Sequence, residues 1–342
     1  MRVVQIKTKI CYIQLKVPFK TALRETSQVE FVRVYVKNKN GQIGIGEAPA
    51  TKAITGEDIE IIINFIDSVK NHFINLPTEE CLSVLHSNIN IGSSAKAALE
   101  MAFISLYLKE KNQSYIEYFK VKDLSPIKTD ITISLNSIDK MLEDANIACS
   151  LGVDILKVKL GSDISHSIKI IQKISYELPQ AKILVDANQA WNLDDTLEFI
   201  KTMKDVKIEL IEQPVIASDL SALKIITQAS HIPILADEAV FSLEDAKRVI
   251  ESKSADMINI KLMKCGGVTK AIEILEFARE KNIVCMLGSM LEGNNSINIA
   301  LYLAMAYRDV IKYIDLDSPL LHKKLLNMDN FEYIGNEIRY KK

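Results

Sequence analysis

Two lysines two residues apart in the apolar run Ile155-Leu156-Lys157-Val158-Lys159-Leu160 raise the first chemical question. Alternate residues of a strand share a face, so Lys157 and Lys159 point one way and Leu156, Val158 and Leu160 the other. In a chain that alternates strand and helix signals, such a strand is buried on both faces. A buried ammonium persists only if it is paired, or if its pKa falls far enough for it to stay neutral and act as a base. Partners are present: Asp186 in "ILVDAN", Glu212 in "IELIEQP", Asp237 in "PILADE" and Lys261 in "MINIKLMKCGG" each interrupt an apolar run. Three carboxylates facing one another across a small volume cannot all stay ionised without a cation, and an all-oxygen set suits Mg²⁺ better than zinc or copper. Lys159 and Lys261 flank this set. Removing a proton α to a carboxylate needs a Lewis acid on the oxygens and a base at the carbon. Two opposed lysines, with a base whose pKa is depressed by Lys157 and Mg²⁺, can take the proton on one face and return it on the other, inverting the stereocentre. On these residues alone a Schiff-base lyase using Lys157 or Lys159, and a non-catalytic binding barrel, stay open.

These residues must be positioned by regularly spaced elements. From Lys159 the steps to Asp186, Glu212, Asp237 and Lys261 are 27, 26, 25 and 24 residues, and two more of 28 and 26 reach Ser289 in "VCMLGSM" and Asp315 in "YIDLDSP". Each step is one strand-helix unit, and a polar residue at the end of every strand is the pattern of a closed α/β barrel. "DITISLNS" is its first strand, with Thr132, Ser134 and Asn136 on one face, and Asp315 and Asp317 share a face of the last. Eight strands are counted, without a full eighth helix. Upstream, "FVRVYVKNKNGQIGIGEAPA" predicts a hairpin turning at Asn40-Gly41, and "VPFKTALRETSQ" a loop. From Gly56 to Gln113 the pattern is helical, with Ser93 or Ser94 as a cap of "SSAKAALEMAFISLYLKEK". The expected division is an α+β domain over 1–124, a barrel over 125–318 and a tail over 319–342 that returns to the first domain.

Composition narrows the partners. With 42 basic and 44 acidic residues the net charge is −2, so no bulk field favours nucleic acid or an anionic membrane, and a small neutral or weakly charged ligand is expected. Lys7, Lys9 and Lys16 break the apolar N-terminus, and no run is long enough to span a bilayer, which predicts a cytoplasmic protein. Five scattered cysteines without CxxC spacing argue against a disulfide framework or a zinc site.

The ordered motifs "KVK", "DAN", "EQP", "ADE", "NIKLMKCGG" and "GSM" together resemble the enolase superfamily, in its muconate-lactonising-enzyme subgroup, along nearly the whole chain. That resemblance implies a modified (β/α)7β TIM-type barrel with an α+β capping domain formed by the N-terminal segment and the C-terminal tail. It implies Mg²⁺ on Asp186, Glu212 and Asp237, Lys159 and Lys261 as the acid/base pair acting through an enediolate, Lys157 on the substrate, and Asn188 and Glu238 in support. "IDLDSP" is similar to the strand-eight motif of dipeptide epimerases, whose two aspartates hold a dipeptide's ammonium; Asp315 and Asp317 match it. "PFKTALR" and "AITGED" resemble the two capping loops of Ala-Glu epimerases, with Arg24 where a glutamate side chain is received, and Thr132 matches a substrate contact. The implied reaction is therefore epimerisation of a dipeptide, L-Ala-D/L-Glu first, with a place in peptidoglycan recycling. o-Succinylbenzoate synthesis, cycloisomerisation and N-acylamino-acid racemisation are the subgroup alternatives, and Glu292 occurs in cycloisomerases too. Homo-oligomers are common in that family.

Overall fold

The alternation in "FVRVYV" places Val32, Val34 and Val36 on one buried face, and that face nucleates the first layer. The computed structural model describes residues 1–324 and 328–341. Strands β1 (Val3–Lys20), β2 (Glu25–Asn38) and β3 (Ile43–Pro49) form an antiparallel sheet in that order. Helices α1 (Lys52–Thr55), α2 (Ile59–Val69), α3 (Thr78–Asn88), α4 (Ser93–Lys111) and α5 (Tyr115–Phe119) follow. Helix α4 lies so close to β3 that a Cβ on Gly44 or Gly46 would stand 2.0 or 1.9 Å from the carbonyl oxygens of Ala102 and Ala98.

Two local expectations are corrected. Residues 17–28 are a hairpin tip, not a loop: Phe19 pairs with Thr26 and Lys20 with Glu25, after a register shift beyond Gln14. The turn is tight because the Thr21 hydroxyl accepts from the amides of Leu23 (3.1 Å) and Arg24 (3.3 Å), which would otherwise lack partners. Helix α4 is not capped by Ser93 or Ser94. Its N-cap is Gly92, and the Glu57 carboxylate accepts from the amides of Ser94 (2.8 Å) and Ala95 (3.0 Å), placing a full charge on the positive helix end.

A short strand β4 (Ile127–Lys128) leads into the repeating units: β5 (Ile131–Ile133), α6 (Ile138–Ser150), β6 (Ile155–Lys159), α7 (Ile164–Glu177), β7 (Lys182–Asp186), α8 (Leu193–Thr202), β8 (Ile208–Glu212), α9 (Leu220–Ala229), β9 (Ile234–Ala236), α10 (Leu243–Glu251) and β10 (Met257–Lys261). After β10 come α11 (Leu262–Cys265), α12 (Val268–Glu280), β11 (Val284–Gly288), α13 (Asn294–Ala306), β12 (Ile311–Asp315) and a single turn α14 (Ser318–Leu321). Strands β5 to β12 are adjacent in chain order in one eight-stranded sheet, and the ring closes where the Asp130 amide donates to Ile314 O at 3.0 Å. Leu184, Leu210, Leu235, Met257 and Met286 fill the lower interior. The tail first meets the cap, with His322 opposite Leu15. It then forms a hairpin, β13 (Phe331–Ile334) and β14 (Glu337–Tyr340), that pairs with β4. Among the described residues no helix is long and apolar enough to cross a membrane.

Two glutamates of the first layer join the halves. Glu47 on β3 accepts from Arg33 Nε (2.9 Å) and Nη2 (2.7 Å), and also from the Asn295 amide (2.9 Å) in the first turn of α13. Glu100 on α4 accepts from the Thr269 amide at 2.9 Å and from its hydroxyl, in the first turn of α12. The residues preceding these helices are Gly293 and Gly267; a Cβ there would fall 2.5 Å from Glu47 Oε2 and 1.8 Å from Glu100 Oε2. Removing Glu47 uncaps α13 and strips Arg33 of its partner. Glu47→Ala is therefore expected to lower unfolding free energy by about 2 kcal/mol in urea denaturation, and a loss under about 0.5 kcal/mol would refute the bridging role.

Candidate active site

Strand register brings the spaced residues to one height. Lys159 pairs with Asp186, Asp186 with Glu212, Lys261 with Gly288 and Gly288 with Asp315. Lys159, Asp186, Glu212, Lys261 and Asp315 are the last residues of β6, β7, β8, β10 and β12, and Asp237 immediately follows β9. All are buried. Lys157 sits at the centre with no exposed surface: its Nζ lies 2.6 Å from Glu212 Oε2, 2.6 Å from Asp315 Oδ2 and 3.3 Å from Asp186 Oδ2. Lys159 Nζ is 2.5 Å from Asp186 Oδ2, and Lys261 Nζ is 2.7 Å from Asp237 Oδ2.

Above this ring is a cleft with about 60 Å³ of free space, walled by Arg24, Thr132, Lys159, Asn188, Asp237, Glu238, Lys261, Asp315 and Asp317, and closed over by Phe19, Leu23 and Ile54. Lys157, Asp186 and Glu212 lie beneath it and do not line it. The hairpin tip forms part of its wall. It is held by the Leu135 amide donating to Lys20 O at 3.0 Å and the Lys20 amide donating to Ser134 Oγ at 3.4 Å. Arg24 faces the cleft with no carboxylate in ion-pair reach among the described residues, and burial lowers its pKa. Asn188, at φ 44°, donates its amide to Asp186 Oδ1 (2.9 Å) and its side chain to Glu238 Oε1 (3.3 Å). The Thr132 amide donates to Asp317 Oδ2 at 2.8 Å.

Charge sets the protonation pattern. Burial pushes Glu212 up to about 7, reinforced by Asp186, and Glu238 up to about 8, reinforced by Asp237. Burial works the same way on Asp186 and Asp237, but Lys159 and Lys157 hold the first below the usual carboxylate range, and Lys261 and Lys264 the second. Burial alone would lower Lys157 and Lys261, yet Asp315 and Glu212 carry Lys157, and Asp237 carries Lys261, above the ordinary lysine value. The carboxylates outnumber the ammonium groups here, and attraction outweighs desolvation. Glu212 Oε2 and Asp237 Oδ1 face ammonium groups yet accept no hydrogen bond, so the set retains hard-oxygen lone pairs of the kind Mg²⁺ takes. Among the described residues, the carboxylate oxygens that converge within 4.8 Å are a different set, Asp130, Asp315 and Asp317.

Sequence reasoning passed over four of these residues. Asn259 Nδ2 donates to Glu212 Oε1 at 2.8 Å, and Asp130 stands beside Asp315 and Asp317. Each lies two residues before a residue already singled out, Lys261 and Thr132, so the two-residue period carried the signal. Buried Lys264 pairs with Asp237 Oδ1 at 2.6 Å, and Gln213 accepts from the amides of Asp237 (3.0 Å) and Ala239 (3.1 Å). Neither lies on a strand, and no period marks them.

An eight-stranded α/β barrel with acids and lysines at its strand ends, under an antiparallel cap, defines a class, and residues 140–341 match the family described as enolase C-terminal domain-like. The chain belongs to the enolase superfamily. It is 61% identical to an L-amino acid-D/L-Glu epimerase of Sulfurimonas denitrificans, over 99% of each chain. Among solved structures, a substrate-liganded L-Ala-D/L-Glu epimerase from Bacillus subtilis superposes with a TM-score of 0.90 at 34% identity, covering 99% of this chain and 96% of that one. A dipeptide epimerase from Enterococcus faecalis complexed with Mg and L-Leu-L-Tyr gives 0.94 at 29% identity, covering 100% and 98%.

Glu292, before α13, is buried with Oε1 accepting the Met290 amide at 2.9 Å, and burial pushes its carboxyl up to about 7. A folded value above the unfolded one means stability falls as pH rises from about 4.5 to about 7 and levels off beyond. Glu292→Gln is expected to flatten that slope and to exceed the parent by about 1–3 kcal/mol at pH 8. Urea denaturation at pH 5 and pH 8 measures this, and an unchanged slope refutes it.

Proposed function

We propose that this enzyme is a Mg²⁺-dependent isomerase that epimerises dipeptides at the α-carbon of the C-terminal residue, L-Ala-D/L-Glu foremost. The observation that carries the reading is the arrangement of Lys159 and Lys261 on strands before and after Asp186, Glu212 and Asp237, with Asp315 and Asp317 at one end of the same cleft and unpaired Arg24 in its wall. The relatives named above, two of them solved with substrate or with Mg and a dipeptide, support it.

Asp186, Glu212 and Asp237 would hold Mg²⁺, with Asn259 orienting Glu212, Asn188 orienting Asp186, and Asn188 and Glu238 supporting each other. Bound Mg²⁺ would neutralise charge developing on the substrate carboxylate. Asp315 and Asp317 receive the substrate ammonium, Arg24 the glutamate side chain, and Thr132 borders both. Lys159 and Lys261 exchange roles: one takes the α-proton, the other returns a proton to the opposite face of the enediolate. Lys157, beneath the cleft, compensates carboxylate charge and favours the enediolate. Closure of the hairpin tip keeps water from that carbon. A synthase or cycloisomerase substrate without an ammonium would have no use for Asp315 and Asp317. A cytoplasmic role in peptidoglycan recycling accompanies Ala-Glu specificity.

Incubation with Mg²⁺ and a dipeptide panel in D₂O is expected to put deuterium at the C-terminal α-carbon of L-Ala-L-Glu and L-Ala-D-Glu; no exchange with any dipeptide would sink the reading. Lys261→Ala is expected to slow epimerisation by about 10²–10⁴-fold while one epimer still exchanges its proton, and loss of exchange from both epimers would contradict the division of labour. Arg24→Met is expected to raise KM for L-Ala-L-Glu about tenfold or more and leave an aliphatic C-terminal residue unaffected. An equal rise for both substrates would remove Arg24 from specificity.

A further inference from the structure

An α-ammonium has three N–H donors, and a buried one left with fewer acceptors loses binding energy. Asp315 Oδ2 accepts from Lys157 at 2.6 Å, and Asp317 accepts from the Thr132 amide at 2.8 Å (Oδ2) and from the Thr132 side chain. Both keep lone pairs for an ammonium, but two carboxylates meet its three divergent N–H directions from two sides only, and a third acceptor group gives each N–H its own partner. Asp130, one inward position before Thr132, is 1% exposed, and among the described residues neither of its carboxylate oxygens has a hydrogen-bond donor. One of them lies within 4.8 Å of oxygens of Asp315 and Asp317, a spacing that lets one small cation touch all three.

A structural ion pair does not explain Asp130. Asp130 lies beneath the cleft rather than in its wall and borders a cavity of about 190 Å³ at the foot of the barrel, lined by Lys128, Lys182 and Lys312, yet among the described residues none of these pairs with it. Lys128 is bound to Asp154 at 2.5 Å and Lys312 donates to Arg308 O at 2.9 Å. Lys157 is committed to Glu212 and Asp315. We propose that Asp130 is the third acceptor of the ammonium clamp, so that the N-terminal ammonium of the dipeptide gives one N–H each to Asp130, Asp315 and Asp317. This assignment rests on the dipeptide reading. Burial, with the charge of Asp315 added, pushes the Asp130 carboxyl well above the usual range, as expected of an acid that faces other acids and lacks a cation of its own.

The test is epimerisation of L-Ala-L-Glu by the full Mg²⁺-loaded chain and by its D130N and D315N variants, with Mg²⁺ affinity and Tm as checks on the fold. D130N is expected to raise KM at least fivefold with kcat within threefold and Mg²⁺ affinity unchanged. A KM increase below fivefold in D130N, where D315N exceeds it, overturns the role of Asp130 and leaves the dipeptide reading standing; no increase in either variant overturns both. Should D130N not fold or lose Mg²⁺, the wild type decides with N-methyl-L-Ala-L-Glu. A three-acceptor clamp loses a donor and binds it at least fivefold more weakly, whereas a smaller loss means that two acceptors suffice and overturns the proposal.

Discussion

The structure depends on the mutual neutralisation of buried charge. Lys157, Lys159, Lys261 and Lys264 are all removed from water, and each isolated ammonium in such a place would cost far more than a domain's net stability. They are tolerated because Asp186, Glu212, Asp237 and Asp315 reach them at 2.5–2.7 Å. The converse is equally binding: with Asp130, Asp317 and Glu238 also buried, acids exceed lysines, so the ring is built to accept positive charge. A barrel meets this constraint because parallel strands in register deliver one residue each to a common height.

The cap completes what the ring begins. Its hairpin tip and the first turn of α1 roof the cleft with apolar Phe19, Leu23 and Ile54 and contribute Arg24. Excluding water strengthens every interaction beneath. The hairpin tip is tied through Lys20 to Ser134 and Leu135, just beyond β5, while the cap as a whole is fixed through Glu47 and Glu100. Anchorage and roofing are thus separate jobs of one layer.

What was legible in the sequence was what strand periodicity carries. Spacings of 24–28 residues located Lys159, Asp186, Glu212, Asp237, Lys261 and Asp315 because each strand contributes at its C-terminal end. Residues one layer lower, Asn259 and Asp130, were legible in principle and overlooked. Helix caps were not legible: Glu57, Glu47 and Glu100 serve helices that begin 36 to 247 residues away, and nothing local marks such pairings. One local reading failed. Polar "TALRETSQ" looked like loop because a threonine hydroxyl, invisible to pattern, satisfies its turn.

The paired caps at α12 and α13 bear on how such a protein changes over time. Both fastenings sit behind the chemical ring, on glycine-preceded helix ends with no room for other side chains, and neither borders the cleft. Mutational drift in the hairpin tip or α1 therefore alters what the cleft admits without loosening the union of the two halves. The cap can therefore vary where it borders the cleft while the contacts that hold it to the barrel stay as they are.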